Sequence, residues 1–343
     1  MILVTGATGF LGAYFLYFLS EKKKNIRVLK RQSSNFEQIE IAFDILNPEK
    51  QLWNSFDDYI KSIEFVNADI LDVNEIEDSL KNVDEVFHLA AVVSFSKKNN
   101  ELINDVNIRG TSILVNQCIK NNISKFHFAS SIASLNRNNE NIITESNDVN
   151  NKKFSTIYSK SKYLAELEVW RGYAEGLTGV IINPGVILGP AVENHESMKV
   201  FKTIKNGFSF YPKGKNGYVD VRDTAELFLL LSEKSELYNE RYLLVSDNHH
   251  YIEIFNWMAK YFNVKAPSKL ANINLSYMLS YIESIRIFFT RTEAVITKDL
   301  VKLVNSIYIY NNSKLKSAIN YNFRSVEETI KDTCNFVVAK KYF

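Results

Sequence analysis

The chain has 343 residues, 46% hydrophobic and 23% charged, enough apolar material for one large folded unit or two unequal ones. Lys plus Arg number 41 against 39 Asp plus Glu, a formal net charge of +2, too even a balance for an electrostatically driven nucleic-acid binder. The two cysteines, Cys118 and Cys334, cannot build a disulfide framework or a metal-ligand spacing, and MILVTG starts without a charged, apolar, cleavable leader, so a reducing cytoplasm is the expected compartment.

Over the first 185 residues short β-branched runs alternate with longer helical patterns, the signature of βαβ units and a parallel sheet. The predicted strands are ILVT (2–5), IRVLK (26–30), IEFVNA (63–68), EVFHLA (85–90), KFHFAS (125–130) and GVIIN (179–183). Phe10 to Leu19, Val73 to Leu80, Leu102 to Ile119 and Tyr158 to Tyr173 read as crossover helices. Residues 36–61 hold enough apolar positions for one or two further helices, and 136–153, rich in Asn and charge, reads as a surface loop. Beyond Gly185 short strands at 218–221 and 241–245 mix with helices. The expected architecture is α/β: a Rossmann-type doubly wound parallel sheet over 1–185, and a smaller C-terminal substrate domain over 186–343 with some segments returning to the first. No apolar run reaches the ~20 residues needed to span a bilayer. The nearest, Ile273 to Phe289, is broken by Asn274, Glu283 and Arg286, and its helical spacing suits a packed core or lid helix rather than stable membrane insertion.

TGATGFLG (Thr5 to Gly12) follows the first strand and opens a helix. That places Gly6, Gly9 and Gly12 where a backbone must turn tightly against a pyrophosphate, with peptide N–H groups and a helix N-terminus facing the anion. An NAD site usually carries an acid roughly 20 residues further on, to hold the ribose 2′-hydroxyl. Here that position reads Lys30-Arg31-Gln32-Ser33-Ser34. A guanidinium flanked by hydroxyls would bind a 2′-phosphate that an acid would repel, so NADP is expected over NAD.

Tyr158 and Lys162 stand four residues apart in a helical pattern, STIYSKSKYLAELEVW, and so project from one face. A cation beside a phenol stabilises phenolate, which makes Tyr158 a candidate general acid/base. Tyr211/Lys215, Tyr261/Lys265 and Tyr310/Lys314 share the spacing, but only Tyr158 lies between a serine-bearing strand end, KFHFASSIASL, and the next strand. Ligands in open parallel sheets bind outside the carboxyl ends of strands, so Ser131 is placed to hydrogen-bond a substrate carbonyl oxygen. His88, His127, His195, His249 and His250 show no metal spacing, and no metal is expected.

Taken together, these residues resemble the extended short-chain dehydrogenases/reductases, also called the NAD-dependent epimerase/dehydratase family, over nearly the whole chain. TGATGFLG is similar to the family's TGxxGxxG loop, which implies coenzyme contacts at Gly6, Thr8, Gly9, Phe10 and Leu11. Asp69-Ile70 resembles its adenine-contacting acidic motif, HLAA with Leu89, Ala90 and Ala91 the segment under the coenzyme, and NPGVILGP with Pro184 and Val186 the stretch around the nicotinamide. Ser131, Tyr158 and Lys162 fall on the catalytic serine and YxxxK positions, Asn107 on a helix asparagine that supports the active site, and YVDVRDTAE, with Asp220 and Asp223, on a motif near the substrate domain.

The resemblance implies hydride transfer between the nicotinamide and a carbonyl or carbinol carbon. Tyr158 would move the proton, Ser131 would orient the oxygen, and Lys162 would hold the nicotinamide ribose and tune Tyr158. Ile132 and Ala133 replace the acidic pair expected of sugar-nucleotide dehydratases, and the basic Arg31 stretch is most similar to the dihydroflavonol reductase and 3β-hydroxysteroid dehydrogenase branch. The expected activity is therefore NADP-dependent reduction of a bulky, largely apolar small molecule, with Ser94 and Phe95 as candidate substrate contacts. A nucleotide-sugar epimerase and a non-enzymatic NADP-binding sensor are the alternatives. The resemblance also implies a homodimer joined through the 102–119 and 156–173 helices.

Overall fold

The computed structural model describes residues 1–22, 25–48, 52–94, 97–135, 142–147, 154–274 and 298–343. Phe95, most of the 273–289 segment and most of the 136–153 loop lie outside them. In chain order the strands are β1 (Ile2–Thr5), β2 (Ile26–Lys30), β3 (Glu64–Asn67), β4 (Glu85–His88), β5 (Lys125–Ala129), β6 (Val180–Pro184), β7 (Val186–Leu188), β8 (Phe210–Tyr211), β9 (Lys215–Asp220), β10 (Glu240–Leu244), β11 (Asp247–His250) and β12 (Lys269–Leu270). The first ten principal helices are α1 (Phe10–Lys22), α2 (Glu37–Leu46), α3 (Phe56–Lys61), α4 (Val73–Ser79), α5 (Asn100–Ile103), α6 (Gly110–Lys120), α7 (Ile157–Ala174), α8 (Glu196–Lys205), α9 (Val221–Ser232) and α10 (Tyr251–Phe262).

Seven strands form one sheet in the order β10-β6-β5-β4-β1-β2-β3, and every pairing in it is parallel. The order reverses between β1 and β4, which opens a crevice at their carboxyl ends. The central strands are buried on both faces, hence their unbroken Val, Ile, Leu and Phe runs. On one face Phe15 of α1 meets Phe87 at 4.7 Å and Phe228 of α9 at 5.2 Å between ring centroids. On the other, Leu114, Val115 and Val169 of α6 and α7 cover Phe126, Phe128 and Ile181. A separate core joins Met198, Phe201, Ile254 and Met258 to Ile330 and Cys334 of the C-terminal helix Val326–Ala339.

Three elements differ from the sequence expectation. The strand expected at 241–245 is β10, the outer strand of the large sheet, where Glu145 Oε1 accepts the edge N–H of Leu243 at 2.9 Å. Val221, expected to end a strand, opens α9 because Asp220 Oδ1 caps it by accepting the Arg222 N–H at 2.7 Å. The single helix expected over 102–119 is broken into α5, a π-helical stretch Asn104–Arg109, and α6. An apolar repeat cannot reveal that slip. Its visible consequence is the inward aim of Asn107, and π stretches commonly mark functional positions.

Candidate active site

The β1–α1 turn is built on Gly6, whose φ of +76° is a left-handed value that suits glycine. A Cβ on Gly6 would lie 2.5 Å from the Ala90 nitrogen, and one on Gly12 2.0 Å from the Gly6 oxygen. The loop is therefore pressed onto the backbone after β4 with no room for side chains, while Gly9 is exposed. The first turn of α1 contains no acidic residue. This cradle suits the pyrophosphate of a dinucleotide on geometry and sign of charge.

Below it runs a buried polar chain that sequence reasoning missed. Thr111 Oγ1 donates to the Asn107 carbonyl at 2.7 Å, so it must accept from His88 Nε2–H at 2.8 Å. His88 Nδ1 then accepts from Thr5 Oγ1 at 2.7 Å, and Thr5 Oγ1 accepts the Ala90 N–H at 3.3 Å. Burial, with the Lys162 charge added, pushes His88 down to about 3, so the ring is neutral and this tautomer is fixed by its neighbours. Register places Thr5 directly opposite His88. The chain thus ties the glycine turn to the segment holding Leu89, Ala90 and Ala91, all half-buried.

At the end of β2 the basic pair separates. Lys30 is committed to Asn67 Oδ1 at 2.7 Å and lies 6.0 Å from the Phe36 ring centre, whereas Arg31 is exposed beside Ser33 and Ser34. Asp69 is exposed, and its Oδ1 accepts the Leu71 N–H at 2.9 Å. Ile70 is buried with its Cγ2 3.0 Å from where a Cβ on Gly110 would stand. Thr8, Phe10 and Leu11 are half-buried at the head of α1, with the Phe10 ring 4.6 Å from that of His195.

At the carboxyl ends of β4, β5 and β6 stand the remaining predicted residues. Asn107, 1% exposed, clamps Val92 by accepting its N–H at 2.7 Å and donating to its carbonyl at 3.0 Å. It also donates to Ser161 Oγ on α7 at 2.9 Å, so one side chain locks the post-β4 segment to α7. Ser131 follows β5 and caps a short 3₁₀ turn, its Oγ accepting the Ala133 N–H at 3.1 Å. α7 opens with a reciprocal cap between Thr156 and Ser159, which fixes the turn that carries the half-buried Tyr158.

One turn on, Lys162 is 3% exposed; its Nζ donates to the Ala129 carbonyl at 2.8 Å and sits 4.8 Å above the Phe128 ring centre. Burial lowers Lys162 to about 8, against the opposing pull of Glu166. Pro184 closes β6 and the half-buried Val186 opens β7; a Cβ on the intervening Gly185 would come 2.7 Å from the Gly217 oxygen. Ser94 Oγ accepts from Asn99 Nδ2 at 3.0 Å on the same rim.

Sequence reasoning also passed over Glu166 and Asn183. Glu166 is buried and gathers Ser130, Ser134, Asn183 and Arg241. The available signal was an acid on the apolar face of α7, between the buried Ala165 and Val169. Asp220 and Asp223 are engaged by protein partners: they bind Arg222, Arg324, Tyr321 and Thr329 and fasten the C-terminal segment to α9. A cavity of about 550 Å³ is lined by Glu145, Tyr163, Glu166, Trp170, Arg241 and Lys314. Among the described residues no group of three or more His, Cys, Asp or Glu could hold a metal, and no helix is long and apolar enough to cross a membrane.

A model of the NAD dependent epimerase/dehydratase family matches residues 2–244. Cinnamoyl-CoA reductase 1 of Petunia hybrida is 25% identical over 285 residues, 80% of this chain and 81% of that reductase. Dihydroflavonol 4-reductase of Arabidopsis thaliana is 24% identical over 293 residues, 80% of this chain and 72% of that protein. Among solved structures, the dTDP-glucose 4,6-dehydratase DesIV of Streptomyces venezuelae, with NAD bound, superposes with a TM-score of 0.75 at 15% identity over 99% of this chain and 98% of that one.

Proposed function

This chain belongs to the NAD-dependent epimerase/dehydratase family and is an NAD(P)-dependent oxidoreductase; within that class we propose that it uses NADPH to reduce the carbonyl of a bulky, largely apolar small molecule. One observation carries the reading. A buried Lys162 stands one turn from Tyr158, anchored on Ala129, two residues before Ser131 on the same strand end. The glycine cradle supports a dinucleotide, and the exposed Arg31 with Ser33 and Ser34 supports the 2′-phosphate that distinguishes NADP.

When bound, the coenzyme supplies the hydride. Ser131 Oγ accepts from Ala133 and keeps its own proton, with which it donates a hydrogen bond to the substrate oxygen to orient the carbonyl. Tyr158 delivers a proton to that oxygen as it becomes an alkoxide. Lys162 spends one of its three protons on Ala129, leaves two for the ribose, and by its charge favours Tyr158 giving up a proton. Asn107 holds α7 and the post-β4 segment in register, so these groups stay within reach of one oxygen. The buried Ile132 beside Ser131 supplies no acid for elimination, which favours reduction over dehydration. Leu102 on α5 and Leu167 on α7, exposed at 46% and 44%, support the homodimer.

The test is a coenzyme titration with NADPH and NADH separately, then a panel of cinnamoyl-CoA, a dihydroflavonol and apolar ketones read by absorbance of the reduced nicotinamide, with UDP-glucose followed by chromatographic separation of its epimer because epimerisation leaves the coenzyme's redox state unchanged. NADPH-dependent turnover of an apolar carbonyl is expected. Conversion of the nucleotide sugar alone, without added NADPH, would replace this reading with the epimerase alternative.

A further inference from the structure

Glu166 occupies the position one turn beyond Lys162 on α7 and is 2% exposed. Its Oε2 accepts from Ser130 Oγ at 2.7 Å and has Ser134 Oγ at 2.9 Å and Asn183 Nδ2 at 3.0 Å. Its Oε1 accepts from Arg241 of β10 at 2.8 Å. Both oxygens therefore face donors, the Arg241 guanidinium among them. Ser134 Oγ and Asn183 Nδ2 also stand 2.8 and 3.1 Å from the Ser131 carbonyl oxygen. Asn183 Oδ1 finds no partner among the described residues, so that amide is oriented by what its nitrogen donates to. Asn183, with two N–H donors, reaches both Glu166 and the Ser131 carbonyl, and Ser134 gives its single proton to one of these two acceptors while standing against both, so the backbone of Ser131 is held through side chains gathered at the same carboxylate.

We propose that Glu166 is a positioning residue for Ser131 and Lys162: anchored by Arg241 at the sheet edge, its carboxylate holds the serine-bearing turn through Ser134 and Asn183 and places a fixed negative charge one turn from Lys162. Neither α7 nor the β5 end could supply both functions alone. The carboxylate comes from the helix, its counter-ion from an edge strand 75 residues away, and the relay from β6 and the 3₁₀ turn. Among the described residues, the groups that face the Lys162 ammonium are the Ala129 carbonyl and the Phe128 ring, with Glu166 on its own helix and the neutral His88 on β4 coupled to it electrostatically and Arg241 beyond Glu166. Glu166 is thus the one carboxylate among them, and it opposes the burial that lowers Lys162.

The charge effect is tested without any substrate, by carbon-13 NMR of lysine labelled at Cε, with the Lys162 resonance assigned by its loss in Lys162→Met. Glu166→Gln should lower the Lys162 midpoint by about one pH unit, whereas Glu166→Asp, which keeps the charge, should leave it within about 0.3. Ser134→Ala should leave the midpoint in place yet lower kcat about ten-fold with KM for NADPH unchanged, the split expected of lost orientation rather than lost binding. Glu168→Gln, a half-exposed acid on the same helix, should change neither. If Glu166→Gln does not fold, the double variant Glu166→Gln/Arg241→Met, which leaves no unpaired guanidinium, carries the same titration.

An unmoved midpoint in the charge-neutral variant overturns the electrostatic role, and an unchanged kcat in Ser134→Ala overturns the positional one. The kinetic half rests on the reductase reading. If no carbonyl on the panel is reduced by the unaltered protein while the midpoint moves, the reading of the reaction fails and the charge role of Glu166 stands.

Discussion

Two clusters of buried charge sit on this fold, one beside Ser131 and Tyr158 and one where α9 meets the C-terminal segment. In the second every carboxylate has a guanidinium partner, although burial beside Asp220 still pushes Asp223 up. Arg222 bridges Asp220 and Asp332 at 2.7 and 2.9 Å, Arg324 pairs with Asp223, and Thr329 and Tyr321 fill the remaining carboxylate positions. Burial works against the Arg222 charge, but Asp220 and Asp332 more than offset it and raise the group above its ordinary value. In the first cluster Lys162 meets, among the described residues, a carbonyl and a ring, and burial pushes it down to about 8 despite the opposing charge of Glu166. The contrast separates two uses of one kind of chemistry. The matched cluster holds two parts of the chain together, while the mismatched one keeps a cation poised to give up or hold its proton.

The largest expected effect breaks the first cluster at its reacting group. Tyr158→Phe removes the hydroxyl at nearly constant volume and should reduce turnover by about 10²–10⁴, the range for loss of a positioned acid/base. Melting temperature and NADPH affinity should stay near those of the unaltered protein. Turnover persisting at the original level would remove Tyr158 from the chemistry.

Breaking the second cluster should act on stability instead. Arg222→Met leaves Asp220, which is fully buried, without its counter-ion, and a broken buried pair costs about 3–5 kcal/mol. Urea denaturation should show that loss, while the coenzyme affinity of the protein that remains folded is unchanged. Equal damage to coenzyme binding would mean that the junction and the groove are one unit rather than two.

Much of this contrast could be read in the chain before folding, and some could not. The central strands declared themselves because burial on both faces demands unbroken apolar runs such as ILVT and VII. Tyr158 and Lys162 declared themselves because one helical turn relates them. The partners that give them meaning are remote: Thr5 and His88 are 83 positions apart, and Glu166 and Arg241 are 75. Such contacts depend on sheet register and strand order, which no local periodicity encodes. Asp220 and Asp223 were visible as a motif, but whether a carboxylate meets a ligand or an arginine is decided by where residues 321–332 pack.

Lys162 also gives the comparison a pH dependence. Its folded value of about 8 lies below the ordinary 10.5, so between those limits the unfolded chain binds more protons and stability rises with pH. Below pH 8 the full penalty applies, about 3 kcal/mol from that shift. Lys162→Met should therefore lose turnover and yet be more stable than the unaltered protein at pH 7, less the contribution of the Ala129 hydrogen bond, with the difference shrinking toward pH 10.5. Denaturation midpoints across that range check it. A gap independent of pH would show that Lys162 is not buried as a cation.

The smaller effects concern coenzyme choice. Arg31→Ser should weaken NADPH binding about ten- to a hundred-fold while leaving NADH nearly untouched, because only the former presents a 2′-phosphate to the guanidinium. Fluorescence titration of both coenzymes reads the ratio, and an unchanged ratio removes Arg31 from the phosphate.

Lys30 makes the sharper control, since it is the neighbouring cation in the same stretch. It is already engaged by Asn67 Oδ1 and lies against Phe36, on the β2–β3 edge of the sheet. A side chain so committed would have to break that bond to reach a phosphate, so it gains little there. Lys30→Ala should change NADPH affinity by less than about three-fold, and it should lower stability by only about 1 kcal/mol through loss of one exposed contact. If Lys30→Ala instead matched Arg31→Ser, the phosphate would be held by the pair jointly, and the division of labour seen at the end of β2 would not survive coenzyme binding.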